Sequence, residues 1–186
     1  MKALILNGSP RKNGNTSHAL RAIADGLARN HAVESLNVYD FKFLPCRNCD
    51  ACKRNGGNCI QADDTVQIIN KITDADLVIF GSPVYWWGIS AQLKDVVDKF
   101  YSRDDESAPT LRTKKKIGIV AVGAETTDDP EYKLISDQFH CIANFLGWEV
   151  VLDEAISAAA VGDLAKDTAR LAALTETAAK LCCVQN

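Results

Sequence analysis

Four cysteines fall within fourteen residues, in the run Cys46-Arg47-Asn48-Cys49-Asp50-Ala51-Cys52, which continues through Lys53, Arg54, Asn55, Gly56, Gly57 and Asn58 to Cys59. A C-x2-C-x2-C spacing brings three thiolates onto one tight curl of backbone, and the Gly56-Gly57 pair lets the chain fold back to deliver a fourth sulfur. Such a donor set suits a cubane 4Fe-4S cluster. Two other chemistries stay open. Structural zinc usually takes two C-x2-C pairs divided by a longer spacer, whereas here three cysteines crowd together and only six residues separate Cys52 from Cys59. Redox-active thiols are the other, because Arg47, Lys53 and Arg54 would favour thiolate whatever it binds. A disulfide set ranks last. The chain opens Met-Lys-Ala-Leu-Ile-Leu-Asn-Gly, too short an apolar run for a signal peptide or a bilayer span, so a cytoplasmic location is expected, where clustered cysteines read as ligands. Cys141, Cys182 and Cys183 have no such spacing and are expected as buried small hydrophobes.

A second group of polar residues, Asn7-Gly8-Ser9-Pro10-Arg11-Lys12-Asn13-Gly14-Asn15-Thr16-Ser17, joins a short apolar run to a helical pattern. It reads as a phosphate cradle. Backbone N–H groups at a helix start point outward with the positive end of the dipole, the hydroxyls of Ser9, Thr16 and Ser17 and the Asn15 amide add uncharged donors, and Arg11 adds charge. A polar loop with an N-cap at Asn15 or Thr16 explains the cap alone. A Walker A loop fails, because five residues separate Gly8 from Gly14 and Asn15 follows; no G-x-G-x-x-G and no Cys-x5-Arg is present. Two further loops share the chemistry of a flat ligand. Gly81-Ser82-Pro83-Val84-Tyr85-Trp86-Trp87-Gly88 carries three consecutive aromatics that can wall a heterocycle, and Gly123 to Glu125 could close over it, with Thr127 to Pro130 an ordinary helix cap. One or two of the aromatics are expected on the ligand and the rest against a partner subunit.

The elements that must position these loops follow from periodicity. Ala3–Leu6, Leu77–Phe80 and Ile117–Val122 are near-continuous apolar runs, as in strands covered on both faces; Val33–Tyr39 and Trp148–Leu152 are weaker strands, the latter after Gly147 as helix stop. Spacings of three, four and seven mark helices through Leu20, Ile23 and Leu27; Ile89 to Phe100; Leu134 to Ile142; and Leu164 to Leu181, with another over Asp63 to about Thr73. Five strands with interleaved helices predict a doubly wound α/β three-layer sandwich of flavodoxin-like order 2-1-3-4-5, one domain over 1–186. That order sets the loops after strands 1 and 3 either side of the crevice where ligands bind. The stretch 41–62, without helical or alternating period, is long enough to be functional and leaves from the same rim.

Composition fits a globular chain: 186 residues, 47% hydrophobic, 24% charged. A net charge of -3 argues against a nucleic-acid platform, and the basic run Lys114 to Lys116 reads as a solvated strand entrance. His18, His31 and His140 lie in or beside helical patterns, and no residue stands out as an obligatory general acid or base.

Asn-Gly-Ser-Pro-Arg-x-x-Gly-Asn-Thr, then the cysteine run, then Gly-Ser-Pro-Val-Tyr-Trp-x-Gly-x-x-x-Gln-Leu-Lys resemble the iron-sulfur flavoproteins within the NAD(P)H-dependent FMN reductase group. The resemblance covers nearly the whole chain. It implies FMN with its phosphate on Ser9, Arg11, Asn15, Thr16 and Ser17 and its ring against Pro83, Val84, Tyr85, Trp86, Trp87, Gly88 and Gly123. It also implies cluster ligands at Cys46, Cys49, Cys52 and Cys59 and an assembly of two or four copies; the net charge and the lack of a long apolar run, not the resemblance, leave no nucleic-acid or membrane partner expected. The implied activity is that of an oxidoreductase, taking electrons from NAD(P)H or a redox carrier and passing them through the cluster to a small-molecule or protein acceptor. A cluster-free reductase with zinc or free thiols, and a flavodoxin-type carrier, are the competing readings.

Overall fold

Ala3 and Ile5 pack on one side of the first strand and Leu4 and Leu6 on the other, because successive side chains of a strand point to opposite faces. The same division holds for Leu77 and Ile79 against Val78 and Phe80, so the strands need helices on both faces. In the computed structural model, which describes residues 1–105 and 110–181, five strands meet this need. They are β1 (Lys2–Asn7), β2 (Ala32–Asn37), β3 (Leu77–Pro83), β4 (Lys116–Gly123) and β5 (Glu149–Ser157). All pair in parallel, in the order β2-β1-β3-β4-β5.

Helices α1 (Asn15–Leu27), α5 (Asp163–Lys166) and α6 (Thr168–Lys180) cover one face, where Leu20, Ile23, Leu27, Leu164 and Leu174 meet Ile5, Ile79, Val122 and Ile156. Helices α2 (Thr65–Asp74), α3 (Ala91–Asp98) and α4 (Pro130–Leu146) cover the other through Ile68, Ile72, Leu93, Val96, Ile135 and Phe139. Phe80 lies centrally there, with Phe139 at 5.0 Å and Phe100 at 6.2 Å between ring centroids. Local signals set the helix ends: Asp129 accepts from Glu131 N ahead of Pro130, and Gly147 closes α4 at φ 75°. Among the described residues no helix is long and apolar enough to cross a membrane.

Several expectations need correction. The fifth strand runs to Ser157, five residues beyond Leu152. Asp153 and Glu154 interrupt its apolar run, but β5 is an edge strand, and they bond to polar side chains of the covering helices, His140 of α4 and Arg170 of α6. The helix through Phe100 ends at Asp98 and tightens into a 3₁₀ turn, Lys99–Arg103. Lys115 is not a solvated entrance: it is 5% exposed, burial lowers its pKa, and its ammonium donates to Ala75 O and Thr73 O. Cys141 is exposed rather than buried. Cys182 and Cys183 lie outside the described residues.

Candidate functional site

Loops at the carboxyl ends of β1, β3, β4 and β5 surround one pocket. Of the expected residues it gathers Ser9, Arg11, Asn15, Thr16, Pro83, Val84, Tyr85 and Gly123; to these it adds Gly14, Val122, Ala124, Ala158, Ala159 and Val161. The loop after β1 is stitched by its own side chains. Asn7 Nδ2 donates to Ser17 Oγ at 2.9 Å, Ser17 Oγ to Arg11 O at 2.8 Å, and Arg11 N to Ser9 Oγ at 3.2 Å. Gly8 N donates to Gly81 O at 2.7 Å, and a Cβ at residue 8 would stand 3.0 Å from that oxygen, so glycine lets the two loops meet. Helix α1 starts behind Gly14, which offers no side chain to its first amides; they and the positive end of the dipole are left for a ligand's charge.

Two residues expected on the phosphate have other occupations. Asn15 Nδ2 donates to Ala158 O at 3.1 Å and Ala160 O at 2.8 Å, while its Oδ1 accepts from Gly162 N at 3.1 Å and Leu164 N at 3.2 Å. Its amide therefore holds the wall after β5 in place. Ser17 lines a separate recess with Lys12, Arg21 and Asn37.

On the opposite side of the pocket, Val84 N donates to Val122 O at 2.8 Å, which ties the loop after β3 to the end of β4. Trp86, Trp87 and Gly88 do not line the pocket. Tyr85 and Gly88 bridge through hydrogen bonds of 2.9 and 3.1 Å, and the two tryptophans fill the tight turn between them at φ 49° and 59°. Such turns favour Asn-Gly, so this Trp-Trp pair holds backbone strain, with Trp86 91% exposed. At Gly123 a side chain would run into Glu131 Oε1 and stand 3.0 Å from Val84 Cγ2. Tyr132 OH donates to Glu125 O at 3.0 Å and Ile156 O at 3.2 Å, and burial, then the Glu131 charge, push its pKa up to about 12.

The cysteine loop forms a second recess. Cys46, Cys49, Cys52 and Cys59 all line it, with Gln61, Lys99 and Tyr101. Asn48 and Asp50 turn the backbone at φ 49° and 56°, a short 3₁₀ turn (Ala51–Arg54) follows, and Gly56 and Gly57 reverse it at φ 56° and 74°. Cys46 and Cys49 are exposed; Cys52 and Cys59 are half-buried. Burial pushes the Cys52 thiol up, outweighing the nearby Lys53 charge that the sequence suggested would favour thiolate. Among the described residues no three His, Cys, Asp or Glu side chains converge on a single-ion site. A cubane asks something else of its donors: each thiolate takes a different iron, and four thiols spread around one recess fit that chemistry.

Buried charge holds the recess. The Asp63 side chain is fully covered and accepts from Leu44 N at 3.0 Å, Thr65 N at 3.0 Å and Lys99 Nζ at 3.3 Å. Burial works to raise its pKa, but these hydrogen bonds and the Lys99 charge outweigh that and hold it below the usual carboxylate value. Arg103, 4% exposed, donates to Gly57 O, Asn58 Oδ1 and Asn70 Oδ1 at 3.0, 2.9 and 2.8 Å. Tyr101 OH donates to Asp50 Oδ1 at 2.8 Å beneath the Lys53 ammonium. Sequence reasoning missed Lys99 and Arg103, although a signal exists: with Val96 and Phe100 they fall three and four apart, placing two cations on an apolar helical face. It missed Ala158 to Val161 because the fifth strand was expected to stop short.

A family model described as NADPH-dependent FMN reductase matches residues 1–156. Iron-sulfur flavoprotein MJ1083 of Methanocaldococcus jannaschii is 39% identical over 132 residues, 70% of this chain and 66% of its own. An iron-sulfur flavoprotein of Methanosarcina thermophila is 30% identical over 186 residues, 98% of this chain and 94% of its own. The chain spans 48% and 51% of two similar Archaeoglobus fulgidus proteins, about half their length. The solved NAD(P)H:quinone oxidoreductase from Methanothermobacter marburgensis superposes with a TM-score of 0.75 at 18% identity, covering 100% of this chain and 99% of its own, a likeness of fold.

Proposed function

The chain belongs to the NADPH-dependent FMN reductase family, and from that premise we propose that it is an FMN-containing oxidoreductase that accepts electrons from NAD(P)H or a redox carrier and passes them out through a 4Fe-4S cluster. The observation that carries this reading is the pocket at the strand ends, where the uncapped start of α1 faces a wall of Pro83, Val84 and Tyr85.

When bound, FMN supplies acceptance of an electron pair and its release one at a time, and the cluster supplies one-electron relay. The chain's own part is binding and orientation. Ser9, Thr16, the first amides of α1 and Arg11 would hold the phosphate, with Asn15 acting through the wall it fixes. Pro83, Val84, Tyr85 and Gly123 would bound the ring, and glycine at 123 lets the chain pass close to Glu131 and Val84, where a side chain has no room. Cys46, Cys49, Cys52 and Cys59 would hold the cluster. The exposed Tyr85, Trp86 and Trp87 on the rim suit burial against a second copy, so we take the working form to be a homodimer or homotetramer of one-domain chains carrying the 41–62 insertion, in the cytoplasm.

The test is anaerobic purification with FMN, iron and acid-labile sulfide measured per chain, followed by NAD(P)H oxidation. One FMN and about four irons are expected. FMN with zinc or free thiols instead would leave a cluster-free reductase, FMN without NAD(P)H oxidation would leave a carrier, and absence of FMN would overturn the pocket assignment.

A further inference from the structure

Lys99 is 3% exposed, yet it sits at the wall of the cysteine recess. Its ammonium has three N–H donors, and three acceptors surround it: Thr65 Oγ1 at 3.1 Å, Asp63 Oδ2 at 3.3 Å and Cys59 Sγ at 3.6 Å. One donor of a buried cation is thus directed at a sulfur. Gln61 Nε2, which donates to Pro45 O at 3.2 Å, lies 3.9 Å from the same sulfur. Asp63 is in turn fixed by backbone amides, so the ammonium cannot swing off the thiol without abandoning a covered carboxylate.

Resting on the cluster reading above, we propose that Lys99 is a positioning residue that fixes Cys59 and, through its N–H···S bond and positive charge, raises the reduction potential of the centre these cysteines hold. Hydrogen bonds to the sulfurs, net charge and solvent exposure set such potentials, and here all three act at one ligand: an N–H donor, a cation, and a half-buried thiol. An added positive charge favours the reduced form, which carries one more electron. The recess would then draw electrons toward Cys59, and Lys99 would decide how strongly. Lys99 also follows directly on α3, whose first residue lies three beyond Gly88, so one short element links the flavin rim to the recess.

The experiment is a redox titration of the anaerobically purified holoprotein, followed by the paramagnetic signal of the reduced cluster, on wild type, Lys99→Gln and Lys99→Met. Gln keeps an N–H donor without charge; Met keeps neither. The expected result is a shift to lower potential that is larger for Met than for Gln. At the wild-type midpoint the Met variant's ratio of reduced to oxidised cluster should fall about tenfold, ~59 mV for a one-electron couple. FMN content should be unchanged in all three. Variants that retain full iron and titrate at the wild-type potential would overturn the inference while leaving the cluster assignment intact. Loss of iron from both variants would overturn it in favour of a purely structural pillar. Wild-type protein with FMN and no iron would remove the cluster reading and this inference with it.

Discussion

The pocket at the strand ends and the cysteine recess lie on one molecule but are held by different forces. The pocket's loops are short, leave directly from buried parallel strands, and are joined by backbone and hydroxyl bonds such as Gly8 N to Gly81 O and Val84 N to Val122 O. The recess sits in a stretch of some twenty residues and is held by two buried cations, Lys99 and Arg103, reaching across from the turn after α3. The first region inherits its shape from the sheet and the second depends on charge. Its stability should therefore respond to substitutions and pH in ways the pocket's does not.

Asp63→Asn tests that contrast most severely. It leaves the Lys99 ammonium buried without its counter-charge, an expected loss of about 3–5 kcal/mol in denaturant unfolding, together with faster alkylation of Cys59 in the folded protein. The pH dependence follows from the direction of the shift. Asp63 has a folded pKa below its ordinary 3.8, so its contribution is complete above that value and is lost as pH falls through the folded pKa. The stability difference between wild type and Asp63→Asn should thus be constant from pH 5 to pH 7 and shrink below about pH 4. A gap that stayed open in acid would show that charge is not what holds the recess.

Arg11→Ala is the matching test on the pocket. Loss of a charge-assisted phosphate contact should weaken FMN binding by about 1.5–3 kcal/mol, roughly ten- to a hundredfold, with unfolding in the flavin-free form unchanged. Equal affinity would assign the phosphate to backbone amides alone. Asn15→Ala should cost about 1–2 kcal/mol in flavin-free stability, since four hydrogen bonds to the 158–164 segment go with it, and should speed FMN release. The smallest effect is expected at Trp87→Gly. Relief of a left-handed backbone should raise the thermal midpoint, by about 1 kcal/mol of stability, while a dimer contact at the tryptophans would show as weaker self-association in sedimentation.

The sheet was legible because its three central strands, β1, β3 and β4, are apolar on both faces, a pattern that few other structures share; the strand order and the three central rim loops followed from it. Legibility failed where polarity was misleading. Asp153 and Glu154 end an apolar run without ending the strand, because at the edge of the sheet their carboxylates reach polar partners on the covering helices, His140 of α4 and Arg170 of α6. Lys115 looked solvated within a basic run but is buried against the carbonyls of Thr73 and Ala75. Trp86 and Trp87 looked like ring contacts because they follow Tyr85 in sequence, yet a two-residue turn carries them out of the pocket.

By itself the sequence determined the fold, the location of the pocket and the crowding of four thiols in one loop, because periodicity, glycine placement and spacing are local properties that a chain carries along its length. Only the tertiary structure decided that Asn15 faces the wall after β5, that Ser17 stands behind its loop, and that Lys99 touches Cys59. The first and last of these join residues far apart in the chain, and long-range pairing of polar groups is settled by which elements pack against which. A polar side chain that could serve several roles acquires one only when packing sets which partners lie within its reach.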